Sequence, residues 1–441
     1  MKPTKSIRPI RSAKPPVPES AARLPTSARL ADTATALARV LTMTYPADAV
    51  LNRYFRERHA LGPLDRAFVA EAVFGVLRRK LLLDYIAPDA SPRQLILLWL
   101  TRIAGFSSKD IATVCSKDEA EWLTTTKSKS TDALPLSVEA DLPKWIVERL
   151  LPLHDAEFIR ALGRSLQEAA PLDLRVNTIR TTRAIALAEL NAHGIEAWPM
   201  PYSPVGIRVK GKPSINRLAL FTTGALEVQD EGSQLLGYLV APRRTDLVVD
   251  FCAGAGGKTL MLGALMHSQG RIYAFDVSRK RLDHLKPRLK RSGLSNLHPL
   301  VIAHENDTKV KRLAGKIDRV LVDAPCSGLG TLRRNPDLKF RQSPEGVAEL
   351  VAKQTAIINA AARLVKPGGR LVYATCSLLA EENHAIIDAF LAAHPEFTAL
   401  DCEDLLQRQD ITIACGPRLQ LWTQTHHTDG FFAAAMQRAA S

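Results

Sequence analysis

The apolar positions of this chain change their period along its length, and each change marks a different kind of structure. From 32 to 135 they recur every three to four residues, the spacing of helices that bury one side. Asp65 stands where it would cap a helix whose buried stripe is Phe68, Ala72, Val73, Val76 and Leu77. Ser91 with Pro92 opens another through Leu95, Leu98 and Trp99. Arg78, Arg79 and Lys80 close a helix, where cations oppose the negative end of the dipole; contact with RNA is the alternative use. The stretch "STDALPLSVEADLPKW" reads as a linker into a helix starting near Leu142, linker and helix together occupying 136–168. A small α+β segment follows over 169–225, with "PLDLRVNTIR" as strand and turn, a helix ending at Gly194, and short strands after it.

From 245 onward strand and helix alternate. "TDLVVDFCAG", "RIYAFDV", "LHPLVIAH", "IDRVLVDAP" and "GRLVYATCS" are β-rich runs, and the gaps between them have lengths that hold a helix or a turn. Alternation of this kind predicts a mostly parallel α/β sheet, Rossmann-like, with helices on both faces. "RLQLWT" and "GFFAAAMQRA" have no helix between them and predict an antiparallel hairpin at the sheet edge. The expected architecture is a basic tail over 1–31, an all-helical domain, the linker and helix, the small α+β segment, and an α/β domain over 226–438.

Composition narrows what this architecture serves. At 441 residues the chain exceeds what one hydrophobic core usually supports, and its 46% hydrophobic content can build more than one. A formal charge of +14 and a pI near 9.6 point to a polyanionic partner, RNA or DNA. Residues 1–30 hold seven Lys/Arg and six Pro against one Glu, the composition of a disordered tail; the prolines oppose an amphipathic targeting helix. The most apolar windows, such as "LILLWLTRIAGF", fall short of the roughly 20 residues of a membrane span. Cys115, Cys252, Cys326, Cys376, Cys402 and Cys415 form no CxxC pair, which argues against a zinc ribbon or a disulfide framework and fits a reducing cytoplasm. No metal is expected.

The chemistry gathers at the carboxyl ends of the strands, the ligand edge of an open α/β sheet. "DFCAGAGGKT" puts Gly254, Gly256 and Gly257 between a strand and a helix, where backbone N–H groups face a ligand. Thr259 stands where a full GxGxxG would have its third Gly, but Asp276 ends the next strand about 20 residues on, where a carboxylate can accept both ribose hydroxyls. An adenosine-type cofactor follows; nicotinamide and S-adenosylmethionine both fit. Two further strands deliver Asp323-Ala-Pro-Cys326 and Ala374-Thr-Cys376-Ser. Two thiols and an acid suit methylation of cytosine at carbon 5, a poor nucleophile until a thiolate adds at carbon 6. The ring then needs an acid near its nitrogen, and a partly protonated carboxyl would serve.

"VDFCAGAGGKTL", "AFDVSRKRL", "LVDAPCSGLGTLRRNPDLKF", "KPGGRLVYATCS" and "DGFFAAAMQR" resemble successive motifs of the RNA cytosine-5 methyltransferases of the RsmB and Sun type. "LPLSVEADLPKWIVERL", "LDLRVNTIR" and "LEVQDEGSQL" resemble that family's lead-in, and "DRAFVAEAVFGVLRR" its NusB-type, RNA-binding helical domain. The resemblance implies an S-adenosylmethionine-dependent enzyme forming 5-methylcytosine in RNA, most directly small-subunit (16S) ribosomal RNA, as a cytoplasmic monomer. Carried over by motif, Cys376 is the nucleophile, Cys326 assists product release and Asp323 contacts the target cytosine. Cys252, Ala253, Gly254, Ala255, Gly256, Gly257 and Lys258 wrap the cofactor, with Asp276 on its ribose; Asp307 and Asp323 complete that set. The chain departs from the family at Ala255, where Pro is common, and in "HENDTK", where Glu305 or Asp307 supplies the third-strand acid. Lys258 either orients a thiol or forms a surface salt bridge. Arg333, Arg334 and Lys339 are candidates for flanking phosphates, with Arg175 and Asn177 as weaker ones. The rival functions are a non-catalytic RNA-binding assembly factor with a relic pocket, and a nicotinamide oxidoreductase.

Overall fold

The computed structural model describes residues 25–127, 129 and 131–440. Most of the basic tail expected over 1–31 lies outside them. Its final residues are helical: Thr26 caps a helix at Ser27–Val40, its Oγ1 accepting the Arg29 N–H at 3.2 Å. Two compact units divide at Asp141 and Leu142.

The first unit is all-helical. Its main helices are Ser27–Val40, Ala47–Glu57, Pro63–Arg78, Lys80–Ile86, Pro92–Arg102 and Lys117–Lys127. Phe68, Ala72, Val73, Val76 and Leu77 are buried, as the periodicity predicts. Ser91 caps its helix reciprocally with Gln94. Asp65 is not the cap: it sits in the first turn after Pro63 and accepts the Gly62 N–H at 3.3 Å, because proline at the first helical position moves the start upstream. The three cations at the helix end make contacts within this unit. Arg78 is buried, Arg79 lies 3.7 Å from buried Asp141, and Lys80 pairs with Asp84 at 2.6 Å.

The second unit contains two sheets. The smaller has β1 (Leu172–Val176), β2 (Ala197–Pro199), β3 (Gly206–Val209) and β4 (Leu226–Val228) in the antiparallel order β2-β3-β1-β4. The expected boundary at 225/226 therefore falls one strand early, since β4 pairs with β1 (Leu174 opposite Val228).

The larger sheet has β5 (Leu247–Asp250), β6 (Arg271–Asp276), β7 (Leu297–Val301), β8 (Ile317–Asp323) and β9 (Val365–Thr375). These five run parallel in the order β9-β8-β5-β6-β7. β10 (Phe397–Leu400), β11 (Leu419–Leu421) and β12 (Phe431–Arg438) extend it. The final strand is not at the edge: β12 lies antiparallel beside β9, and β10 and β11 share its outer side. The two terminal strands pair antiparallel as expected, Leu419 opposite Ala433, with a one-turn helix, Thr423–His426, in the connection between them. Successive residues point to opposite faces, and both faces are covered. Val248, Ala274, Leu321, Val372 and Ala433 pack with the helix Glu231–Val240 on one side; Val249, Phe275, Val320, Tyr373 and Phe432 meet the helix Pro344–Ala362 on the other. Among the described residues no helix is long and apolar enough to cross a membrane.

Arg175 and Asn177, expected to face RNA, are instead buried where the small sheet meets the large one. Arg175 donates to the Gly257 carbonyl at 2.6 Å and to Gln229; Asn177 donates to the carbonyls of Gly224 (2.9 Å) and Ser292 (3.0 Å). Alternation along β1 explains the error, since these residues share a face whose polar appearance comes from bonding to the neighbouring sheet. Glu227 completes the junction, taking Arg288 on one oxygen (2.8 Å) and Arg291 on the other (2.6 Å). With its side chain 3% exposed, losing this carboxylate leaves two guanidiniums without their shared partner. Glu227→Ala is expected to cost about 3 kcal/mol and to lower the calorimetric melting temperature of the second unit by roughly 6 °C or more.

Candidate active site

β5 ends in Asp250 and passes at once into the turn that opens the helix Gly257–Leu265. Gly254 (φ 56°) and Gly256 (φ 80°) both take the left-handed conformation. A Cβ on Gly256 would lie 2.1 Å from Leu285 Cδ1, so only glycine fits there. At the end of β6, Asp276 is almost wholly buried; its two oxygens accept the Gly254 N–H (2.9 Å) and the Ser278 N–H (2.7 Å), strapping the turn to the neighbouring strand. Ala255 is exposed, and its carbonyl accepts from Arg288 at 2.6 Å, which stiffens the turn without the proline ring that the resemblance makes common there. A glycine turn with a carboxylate at the next strand end fits an adenosine-type cofactor.

Asp250, which sequence reasoning passed over, anchors this turn from below. Thr259 donates to one of its oxygens at 2.7 Å while the other has no protein partner, and burial pushes its pKa up to about 7. Asp307 caps the short helix Thr308–Lys311 and accepts the N–H groups of Ala303 (2.8 Å) and Lys309 (2.9 Å). Its carboxylate thus shapes the loop after β7. Glu305 accepts from the Asn306 side chain at 2.8 Å.

The parallel register of β8 and β9 sets Asp323 opposite Ala374, so the two turns beyond them leave the sheet side by side. Cys326 and Cys376 meet there with their sulfurs 3.4 Å apart. Backbone bonds lock the turns: the Ala324 N–H donates to the Ala374 carbonyl and the Gly330 N–H to the Cys376 carbonyl, both at 2.8 Å. A Cβ on Gly330 would fall 2.2 Å from the Gly430 carbonyl oxygen, so this approach also requires glycine. The Cys326 thiol is pushed well above the usual range by its hydrogen bond with Cys376, by burial, and by the charges of Cys376 and Glu382. Burial likewise pushes the Cys252 thiol up.

Lys258 donates to Asp323 at 2.7 Å and lies over the Phe431 ring. Burial alone would lower its pKa, but the charge and hydrogen bond of Asp323, aided by Cys376 and Asp250, outweigh this and raise it. The surface salt bridge is thus excluded: lysine and carboxylate form a mostly buried pair, with side-chain exposures of 13% and 29%. Asp323, the acid that the sequence places near the ring, comes with a charged partner.

The cations after Cys326 do not face solvent phosphates as expected. Arg333 is buried and pairs with Asp429 at 3.3 Å; Arg334 bridges Asp429 (2.5 Å) and Asp230 (3.0 Å). Lys339 is buried with its ammonium over the Phe340 ring. Their acids, Asp230 and Asp429, lie about 100 residues before and after them in the chain, so a local charge run could not reveal the pairing. Also missed were Ser327, Ser377 and Glu382, although the repeated Cys-Ser pair was a visible signal.

A family model described as "16S rRNA methyltransferase RsmB/F" matches residues 237–437, and a ferredoxin-like domain of the same family matches 142–216. A probable ribosomal RNA small subunit methyltransferase B of Synechocystis is 32% identical over 423 residues, covering 87% of this chain and 93% of that one. The chain belongs to the RsmB/F family. A probable methyltransferase B of Bacillus subtilis is 28% identical, with 86% and 92% covered. Among solved structures, PH0851 superposes with a TM-score of 0.77 at 24% identity over 94% of this chain and 99% of its own. NSun6 from Pyrococcus horikoshii with SFG gives 0.60 at 22% over 68% and 98%. At these identities the structures establish the fold. Membership in the RsmB/F family makes this chain an S-adenosylmethionine-dependent methyltransferase of ribosomal RNA.

The two thiols should differ in reactivity in a way alkylation can read. Because the bond to Cys376 is the leading cause of the high Cys326 value, Cys376→Ala lowers that value and increases the thiolate fraction at a given pH. Iodoacetamide at pH 8 is expected to label Cys326 roughly five- to tenfold faster in Cys376→Ala than in the parent, followed by peptide mass spectrometry.

Proposed function

We propose that this RsmB/F protein methylates carbon 5 of a cytosine in small-subunit ribosomal RNA through a covalent bond between Cys376 and the base. The observation that carries this reading is the pair of sulfurs 3.4 Å apart beside the Lys258–Asp323 ion pair, all at the carboxyl ends of the strands. Such a substrate puts the reaction in the cytoplasm.

When bound between Cys252 and Lys258, with Asp276 at its ribose, S-adenosylmethionine supplies the methyl group that carbon 5 takes up. The protein's part begins with Cys376. Its thiolate pair forms the bond to carbon 6, and the electrons of the 5,6 double bond make carbon 5 nucleophilic. As the sulfur adds, the ring nitrogen takes up a proton from solvent, and its N–H donates to the Asp323 carboxylate that Lys258 holds in place; that proton returns to solvent when the sulfur leaves. Once carbon 5 carries the methyl group, its hydrogen leaves as a proton to solvent, the double bond re-forms, and the carbon–sulfur pair returns to Cys376. Cys326, whose thiol is kept protonated, donates its S–H toward the departing sulfur. The target base must leave its stack to reach two partly buried thiols.

The two cysteines separate under mutation. With labelled S-adenosylmethionine and small-subunit ribosomal RNA, Cys376→Ala is expected to reduce methyl incorporation to background. Cys326→Ala is expected to accumulate a protein–RNA adduct that survives denaturing electrophoresis. Reversed outcomes would exchange the two roles. Cofactor binding without any turnover by the parent would favour the RNA-binding assembly factor.

A further inference from the structure

Each catalytic-loop cysteine is followed by a serine, and one buried carboxylate holds both serines. Glu382 has no exposed surface. One of its oxygens accepts the Ser327 N–H (2.8 Å) and the Gln354 side-chain amide (2.9 Å); the other accepts the hydroxyls of Ser327 (2.5 Å) and Ser377. The carboxylate therefore has four donors, enough to be kept in a dry interior. The hydroxyl oxygens are 3.1 Å apart because both aim at the same acceptor.

The surrounding bonds make this a tie between loops. Gln354, on the helix Pro344–Ala362, also donates to the Pro325 carbonyl at 2.9 Å, so that Gln354 and Glu382 together hold the first turn on either side of Cys326. Asn383 donates to the Ser377 carbonyl at 3.0 Å and bonds Thr375, gripping the second turn on either side of Cys376. The Tyr373 hydroxyl donates to the Glu382 carbonyl at 2.7 Å, fixing the backbone that presents the carboxylate.

We infer that Glu382 is a positioning residue, one carboxylate that ties the Cys326 turn to the Cys376 turn and so sets the distance between the two sulfurs. This rests on the two-thiol reading above for its catalytic meaning, but the distance itself can be tested without RNA. Phenylarsine oxide bonds two nearby thiols at once, arsenic taking both sulfurs as one water leaves. The full chain is expected to take up one bridging arsenical, and to lose this with either Cys326→Ala or Cys376→Ala.

Glu382→Ala is expected to weaken bridging by about tenfold, because the second thiol is no longer held at the first. Its kcat for methyl transfer should fall by about a hundredfold while KM for S-adenosylmethionine stays within about twofold. Glu382→Gln, which keeps an acceptor for Ser327 and a polar group for Ser377, should restore bridging in large part. If circular dichroism shows that Glu382→Ala does not fold, the Ser327→Ala/Ser377→Ala double variant decides, with the same loss of bridging expected. Wild-type bridging by a folded Glu382→Ala, or by the serine double variant when it is the one read, overturns the proposal. Bridging does not depend on what the thiols react with, so this result is separate from the fate of the cytosine mechanism.

Discussion

The pairing of β8 with β9 is the constraint from which the catalytic arrangement follows. The strands are far apart in sequence and become neighbours only because the sheet order β9-β8-β5 places them together. Their register, Asp323 opposite Ala374, then determines that two turns carrying thiols leave the sheet at the same level. A slip by one residue would send each strand's side chains to the opposite face. Both faces are packed, one around Val372 and Ala374 and the other around Val322 and Tyr373, so such a slip would disrupt two hydrophobic layers. The level at which the two turns leave the sheet is thus held by burial that has no part in the chemistry.

A second feature is how much charge is used internally. Arg175, Arg333 and Arg334, all read as RNA contacts, make hydrogen bonds or ion pairs that join the small sheet, the Gly-rich turn and the loop before β12. Lys258 is held against Asp323, and Glu227 is shared between two arginines. The positive excess that attracts a polyanion must come from other side chains. The helix Arg279–Ser292 offers Arg279, Lys280, Arg281 and Lys290 on its exposed side, directly after the strand that ends in Asp276.

What could be read from the sequence follows the range of the interaction involved. The parallel strands, the glycine turn and the thiol-bearing loops were legible because each is written in a short contiguous stretch, such as "DFCAGAGG" or "DAPCS". The fold class and the family came from the order of those stretches. The position of β12 was not legible: a strand that inserts beside β9 has the same local pattern as one at an edge. Nor was β4, whose three residues belong to the sheet before them and not to the domain after. The roles of Arg333 and Arg334 depend on Asp230 and Asp429, and that of Glu382 on two serines made neighbours by the sheet. No period or local motif carries such pairings.

The central claim is that the paired sulfurs act on carbon 5 of cytosine, which obliges the hydrogen at that carbon to depart once per methyl group. Small-subunit ribosomal RNA labelled with tritium at carbon 5 of its cytidines allows this to be counted against methyl groups from carbon-labelled S-adenosylmethionine. The account predicts tritium in water equal to methyl in RNA throughout the time course. Methyl incorporation with the tritium retained would contradict it, because the methyl group would then have gone to another atom.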